Sequence, residues 1–450
     1  MFKLHYLDHY KRNISLAYPV MLSQLGHVSV GIADSVMVGQ IGVEPLAAAS
    51  FANAIFFLLL TFGLGVSFAM TPLVASADSE KDTSKISIFL KHGFLVNMAL
   101  GILLLAMLLI LSGTLSYFNQ PSEVVELASP YFTIISFSII PFMFFQTFRQ
   151  FLEGLSNTKQ AMYITVGSNL LNIMLNYILI FGKLGFEPMG LNGAGVATLI
   201  SRIAMALLLG GYVYGRKRFG IYWEGFNFKN YSTHIINRLL KIGVPAGLQF
   251  IFEVGAFAIA AIMIGWLGAV PLAAHQIAIN LASISYMMAT GISAAATIRV
   301  GNQLGRKDIR TLRAAGFSSF IMVIVFMSTC GLLFIAGKDY LPTLYVDSTQ
   351  VKQIAATLII IAAFFQISDG VQVVGLGALR GMADVKLPTL FSFIAYWVFG
   401  LPIGYFLGIQ LGFGAEGIWY GLLIGLTVSA ILVFTRFQII TKKLLISSPG

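Results

Sequence analysis

Twelve long, apolar, nearly charge-free runs recur along this chain, and they constrain its fold more than any other feature. A bilayer-spanning helix needs about 20 mostly apolar residues. The runs fall at approximately 14–38, 46–73, 88–113, 123–150, 160–182, 190–214, 237–264, 272–296, 314–336, 351–378, 388–408 and 414–439. Composition agrees. Hydrophobic residues make up 57% of the 450 and charged residues 10%, against a soluble norm of about 25% charged. So much apolar surface cannot be hidden from water inside one fold, so lipid must solvate much of it. The expected class is an all-α integral membrane protein with twelve transmembrane helices.

The formal net charge of +10 does not indicate a nucleic-acid binder, because the basic residues sit in short loops between apolar runs rather than on one patch. Their distribution sets orientation instead. With the N-terminus inside, 24 of the 28 Lys and Arg fall on cytoplasmic segments and adjoining helix ends, Lys229 and Arg380 among them. Three (Lys183, Lys338 and Lys352) fall outside, and Arg202 lies within a span. This asymmetry predicts cytoplasmic N- and C-termini. The polar start MFKLHYLDHYKRN has no cleavable-signal pattern, so the first helix is expected to serve as the targeting signal. The single Cys330 reads as a buried, inert thiol.

An internal repeat organises the chain. Residues 19–82 shifted by 226 fall on 245–308 without a gap, with 18 identities in 64 positions. Pro19, Gly39, Gly42 and Pro45 land on Pro245, Gly265, Gly268 and Pro271, and the pair Lys81–Asp82 lands on Lys307–Asp308. A weaker echo aligns Leu152, Gly154 and Lys159 with Leu379, Gly381 and Lys386. Six helices per half keep both halves in the same orientation, the parallel-repeat arrangement of many transporters. We therefore expect two pseudo-symmetric six-helix bundles at 1–214 and 237–450. A polar cytoplasmic linker, 215–236, joins them, and a central cleft suited to alternating access lies between them.

The chain lacks a phosphate-binding Gly-x-x-x-x-Gly-Lys-Ser/Thr loop, a zinc-protease motif, a Gly-x-Ser-x-Gly elbow and a Cys/His cluster. An enzyme is not expected, and energy must come from an ion gradient or an external partner. The chemistry then rests on ionisable residues inside spans, each costing roughly 2.5–3.5 kcal/mol at a helix centre. These are Asp34, Arg202, Glu253 and Asp369. Arg202 is the one intramembrane counter-charge in view, so at least two acids require a mobile partner: a proton, a metal ion or a cationic substrate. Carboxylates out of water, and near one another, hold protons to higher pH, which suits exchange of a proton for another cation. Under the repeat, Glu253 falls on His27 and Asp34 on Ala260. The scaffold is duplicated but the acids are not. Whether Arg202 pairs with Asp34 stays open at this level.

Amides in nearby spans, Asn172, Asn176, Gln276 and Asn280, are candidates for a cation shell, with interhelical bonding as the alternative. Pro19 and Pro245 read as static bends or as hinges. Gly400, Gly404, Gly408 and Gly417, Gly421, Gly425 read as a close helix contact.

The stretches ADSVMVGQIG, PAGLQFIFEVGAF, AAHQIAIN, NIMLNYILIFG and QISDGVQVVGLGALRGMAD resemble the multidrug and toxic compound extrusion (MATE) family, in its NorM-like bacterial branch, over nearly the whole length. The resemblance implies a bacterial inner-membrane exporter of cationic, lipophilic drugs or dyes, exchanged for Na+ or H+, with no cofactor. It implies Glu253, Asp369 and Asp34 as cation-coupling acids, the first two as ligands of Na+ if sodium couples. Phe365 replaces a Tyr that some relatives carry one turn before the helix-10 acid, which removes a hydroxyl from that shell. A lipid-linked saccharide flippase of related architecture is the alternative. It would be expected to present basic residues for a diphosphate, whereas most charge within these spans is acidic.

Overall fold

The computed structural model describes residues 2–118, 120–223 and 230–447, with side chains from residue 7 onward. It contains helices of three types and no strand among the described residues. Twelve helices are long and apolar enough to span a membrane: α1 (Leu7–Gly39), α2 (Val43–Ser79), α3 (Thr83–Ser112), α4 (Ser122–Gly154), α5 (Lys159–Phe181), α6 (Leu191–Gly215), α7 (Thr233–Gly265), α8 (Ala269–Gly305), α9 (Ile309–Gly337), α10 (Thr349–Gly381), α11 (Lys386–Gln410) and α12 (Gly414–Ser447). All twelve sequence-derived runs are present, mostly extended at their ends. Helical turns satisfy their own backbone groups, and lipid offers no substitute partner, so polar residues flanking an apolar run stay helical. The chain is a multi-pass membrane protein.

The repeat is visible in local geometry. Lys81 and Lys307 both adopt left-handed backbone, φ 58° and 56°. Each precedes an Asp that caps the next helix: Asp82 accepts from the Lys85 amide at 2.9 Å and Asp308 from the Thr311 amide at 3.0 Å. The Lys-Asp pair thus recurs because it encodes one turn twice. Ser156 and Ala383, equivalent under the weaker echo, share φ 59° and 58°.

The chain divides into two compact units, Leu22–Gly247 and Met1–Met21 with Leu248–Gly450. Both cuts fall inside a helix, α1 and α7, at positions 226 apart. The compact units therefore differ from the sequence halves 1–214 and 237–450 by two exchanged leading segments. Glycine seats both of them. A Cβ on Gly65 of α2 would lie 2.5 Å from the Gly247 Cα of α7. A Cβ on its equivalent, Gly291 of α8, would lie 2.9 Å from the Met21 amide nitrogen of α1. Polar contacts add to the α1 seat: Asn13 donates to Ser318 and Ser319 at 3.0 and 2.9 Å. Arg299 donates to the His9 carbonyl at 2.8 Å and to Asn13 Oδ1 at 2.6 Å.

Within 215–236, Lys217–Trp223 forms a short helix whose buried Phe219 packs on Phe151 and Tyr212. Residues 224–229, including Lys229, lie outside the described residues. The α11–α12 glycines form the expected close contact. A Cβ on Gly421 would come within 2.4 Å of the Gly404 Cα, and one on Gly417 within 2.5 Å of the Gly408 nitrogen. Two π-helical stretches, Ile394–Gly400 and Phe406–Gln410, widen α11 along this seam.

Candidate functional site

In the unit built on Leu248–Gly450, buried polar side chains of α7, α8, α10 and α11 gather into one cluster. Glu253 comes from α7 and Asp369 from α10, and each is only 6% exposed. The two carboxylates lie within electrostatic reach of one another. The Tyr286 hydroxyl of α8 donates to Glu253. Neither acid has an ion-pair partner among the described residues. Tyr396 of α11 donates to Gln372 Oε1 at 2.8 Å, and the Trp397 indole donates to the Phe252 carbonyl at 3.0 Å, tying α11 to α10 and α7.

Two arginines of this unit that the sequence reading counts with the cytoplasmic residues, Arg299 and Arg380, are buried. Arg299 is engaged by His9 and Asn13. The Arg380 guanidinium lies over the Phe250 ring at 5.9 Å, and its charge reaches Glu253. Arg202 is therefore not the one counter-charge to set against the acids. Helix α10 continues inward to Gly381, so a side chain near its end still packs inside the unit. Two carboxylates against one guanidinium leave one negative charge over.

The other unit holds Asp34, which is half-buried. Asn176 of α5 donates to its carboxylate and also to Asn172 Oδ1 at 3.2 Å. Asn172 in turn donates to Thr198 at 3.5 Å. Arg202 does not pair with Asp34. It donates to Ser138 at 2.8 Å and lies over the rings of Phe56 and Phe142 at 5.0 and 5.2 Å, so only its longer-range field reaches the acid.

The predicted shell residues divide accordingly. Asn172 and Asn176 stand with Asp34, not with the paired acids. Gln276 donates to Asn280 at 3.1 Å on an exposed face of α8. At 3.6 residues per turn, Asn280 and Tyr286 point about 120° apart and Gln276 and Tyr286 about 80° apart, and no contact joins the amide pair to the two acids. Phe365 is buried and stacks on Trp419, with centroids 5.4 Å apart and planes at 19°. Tyr286, Gln366, Gln372, Tyr396 and Arg380 were not picked out from sequence. A polar residue every third position in Gln366, Asp369 and Gln372 was the available signal.

Two buried acids stand together in one of two repeat-related units of a twelve-span protein, and the comparisons with known proteins assign the class. The MatE family model matches residues 19–178 and 245–406, two segments whose starts are 226 apart, like the repeat. The chain is similar to the probable multidrug resistance protein NorM of Agrobacterium fabrum, with 33% identity over 97% of this chain and 95% of that one. It is similar to the multidrug resistance protein MdtK of Yersinia pseudotuberculosis, with 34% identity over 96% and 95%. In fold it matches an outward-facing multidrug resistance MATE family transporter (TM-score 0.90, 19% identity, 98% of this chain and 97% of the other). A eukaryotic MATE transporter, AtDTX14, gives a TM-score of 0.87 at 19% identity, covering 98% of each chain. The chain belongs to the MATE family of transporters.

Proposed function

We propose that this transporter exports lipophilic organic cations, drugs or dyes, from the bacterial cytoplasm across the inner membrane. It does so by secondary antiport against Na+ or H+ through alternating access, and needs no cofactor. One observation carries the reading: Glu253 and Asp369 are buried together, without an ion-pair partner among the described residues, in a polar cluster that Arg380 leaves one charge short. A lone charge out of water is costly, so the cluster favours a bound monovalent cation. Release of that cation to the other side is then linked to the conformation that takes up drug. Asp34 acts in the other unit as a second exchangeable carboxylate, held by Asn176 and Asn172. The drug-resistance names of the relatives support the substrate class. The Lys and Arg asymmetry supports cytoplasmic termini.

The test is export of a fluorescent organic cation in inverted membrane vesicles, with a Na+ or a pH gradient imposed separately. One gradient should drive accumulation. Glu253→Gln and Asp369→Asn should each bring it to background at normal expression. Near-wild-type export in both single variants would remove the acid pair from the mechanism.

A further inference from the structure

The polar linker is tied to one helix on both sides of residues 224–229. Ser87, Lys91 and His92 stand close together along α3, and all three are buried. Ser87 donates to the Tyr222 carbonyl at 2.8 Å, near the end of the short helix Lys217–Trp223. The Lys91 ammonium donates to the Asn230 carbonyl at 3.3 Å and lies over the Tyr231 ring at 4.8 Å. Asn230 has left-handed backbone, φ 61°, and the chain then turns into α7. Ser232 stands just before that helix, and its carbonyl accepts from the Ile236 amide at 3.1 Å. Its own N–H has no carbonyl one turn back within the helix. It donates instead to His92 Nε2 at 2.8 Å.

These contacts fix the protonation state of His92. Its Nδ1 is 2.8 Å from the Ile88 carbonyl, which can only accept, so Nδ1 carries a hydrogen. Nε2 accepts from Ser232, so it carries none. The ring is neutral, with both nitrogens engaged. A second proton would set an Nε2–H against the Ser232 N–H, two donors with no acceptor between them. Nothing charged nearby would compensate. No carboxylate pairs with His92 among the described residues, and the ring that meets it edge-on, Tyr231 at 5.4 Å, is neutral. On α3 itself Lys91 is adjacent, and Lys85 is held by Glu80 and Asp82. On α7, Arg238 lies over the Phe89 ring at 5.6 Å, and His234 and Lys241 are exposed. On the short helix, Arg218 lies over Phe219 at 4.5 Å and Lys217 is exposed. Glu153 of α4 is held by Arg149, and the charge of Asp78, at the end of α2, reaches Tyr222.

We propose that His92 is a pH-operated clasp: neutral, it holds the linker and the start of α7 on α3 by accepting from Ser232, and protonated, it lets them go. The leading segment of α7 lies in the same compact unit as α3, so the clasp fixes the start of the helix that carries Glu253. Ser87 and Lys91 hold carbonyls, which need no change of charge, so His92 is the one member of the set that responds to a proton. The device answers to the pH of the side that the linker faces. It is independent of the coupling role given to Glu253 and Asp369, since none of its contacts involves either acid.

The test is hydrogen–deuterium exchange of the full chain in lipid nanodiscs, read on peptides covering residues 230–236, with each rate divided by the intrinsic rate at that pH. Protection in the wild type should fall about tenfold between about pH 8 and about pH 5, the loss of one hydrogen bond over the range in which imidazoles titrate. His92→Gln keeps an uncharged acceptor for Ser232 and should stay protected at both pH values. His92→Arg offers no acceptor and should be unprotected at both. Peptides from α9, in the other unit, should not change; a parallel loss there would mean general acid unfolding and would overturn the clasp. So would equal wild-type protection at both pH values, or a His92→Gln variant that responds to pH as the wild type does. Should neither His92 variant fold, His234→Gln decides: it should leave the pH response intact, and its loss would move the response to His234 and overturn the assignment.

Discussion

Asp34→Asn separates a working carboxylate from a structural one, and the structure sets the size of the effect. If Asp34 were the buried partner of Arg202, removing its charge would strand a guanidinium and cost on the order of 3–5 kcal/mol. For a unit of this size that is a fall of roughly 6–20 °C in melting temperature, taking about 2–4 °C per kcal/mol. The contacts say otherwise. Arg202 is held by Ser138 and two aromatic rings, and Asp34 by Asn176. An Asn at position 34 keeps an oxygen for the Asn176 NH2 and gains an NH2 of its own. The Asn176 Oδ1 has no partner at present, so the new amide has an acceptor. Exchanging a charged acceptor for a neutral one costs about 1 kcal/mol, which the second bond and the lost burial of charge offset. The melting temperature in detergent should therefore move by less than about 4 °C, while export in inverted vesicles falls to background. A drop above about 6 °C, with stability and export both recovered in Asp34→Asn/Arg202→Gln, would refute this reasoning.

Two further outcomes test the scaffold. Arg149 and Glu153 form a buried ion pair at 2.7 Å on α4, so Glu153→Gln should cost about 3–5 kcal/mol, read as a large fall in melting temperature. An unchanged melting temperature would mean that Arg149 is not confined there. Asp308 caps α9, and although partial burial opposes ionisation, the side chain and backbone amide of Thr311 outweigh it and hold the carboxyl below the usual range. A depressed carboxyl stabilises above its unfolded pKa, about 4, and loses that contribution as pH falls through the lower folded value. Asp308→Ala should accordingly cost about 0.5–1 kcal/mol at pH 7, with the gap to wild type closing below about pH 4. A gap that persists in acid would assign the loss to something other than the cap.

How much was legible in the sequence depended on whether a property was carried locally. A spanning helix is, because apolar length alone decides it, and all twelve runs were readable. The repeat was legible for the same reason: Lys81–Asp82 and Lys307–Asp308 each write a complete turn in two residues, a left-handed Lys and a capping Asp. The exchange of the leading segments of α1 and α7 was not legible. Gly65 and Gly291 announce a close approach, but a glycine does not say which helix will come near it.

The site divides along the same line. Asp34, Glu253 and Asp369 stood out because a carboxylate in an apolar run is costly wherever the helix turns. Their neighbours did not, since an amide or tyrosine in a span is cheap enough to serve several ends, and only packing decides among them. Asn172 and Asn176 went to Asp34, and Gln276 and Asn280 turned to each other on an exposed face. Arg380 shows the converse error. Its position near a helix end suggested the cytoplasm, but α10 carries its packed face through to Gly381, and the guanidinium stays inside within reach of Glu253. That placement changes the electrostatic requirement of the acid pair. With no cation in range, the pair would carry two uncompensated charges, and a divalent ion or two protons would suit it best. With Arg380 in range the deficit is one, the charge of a single Na+ or H+.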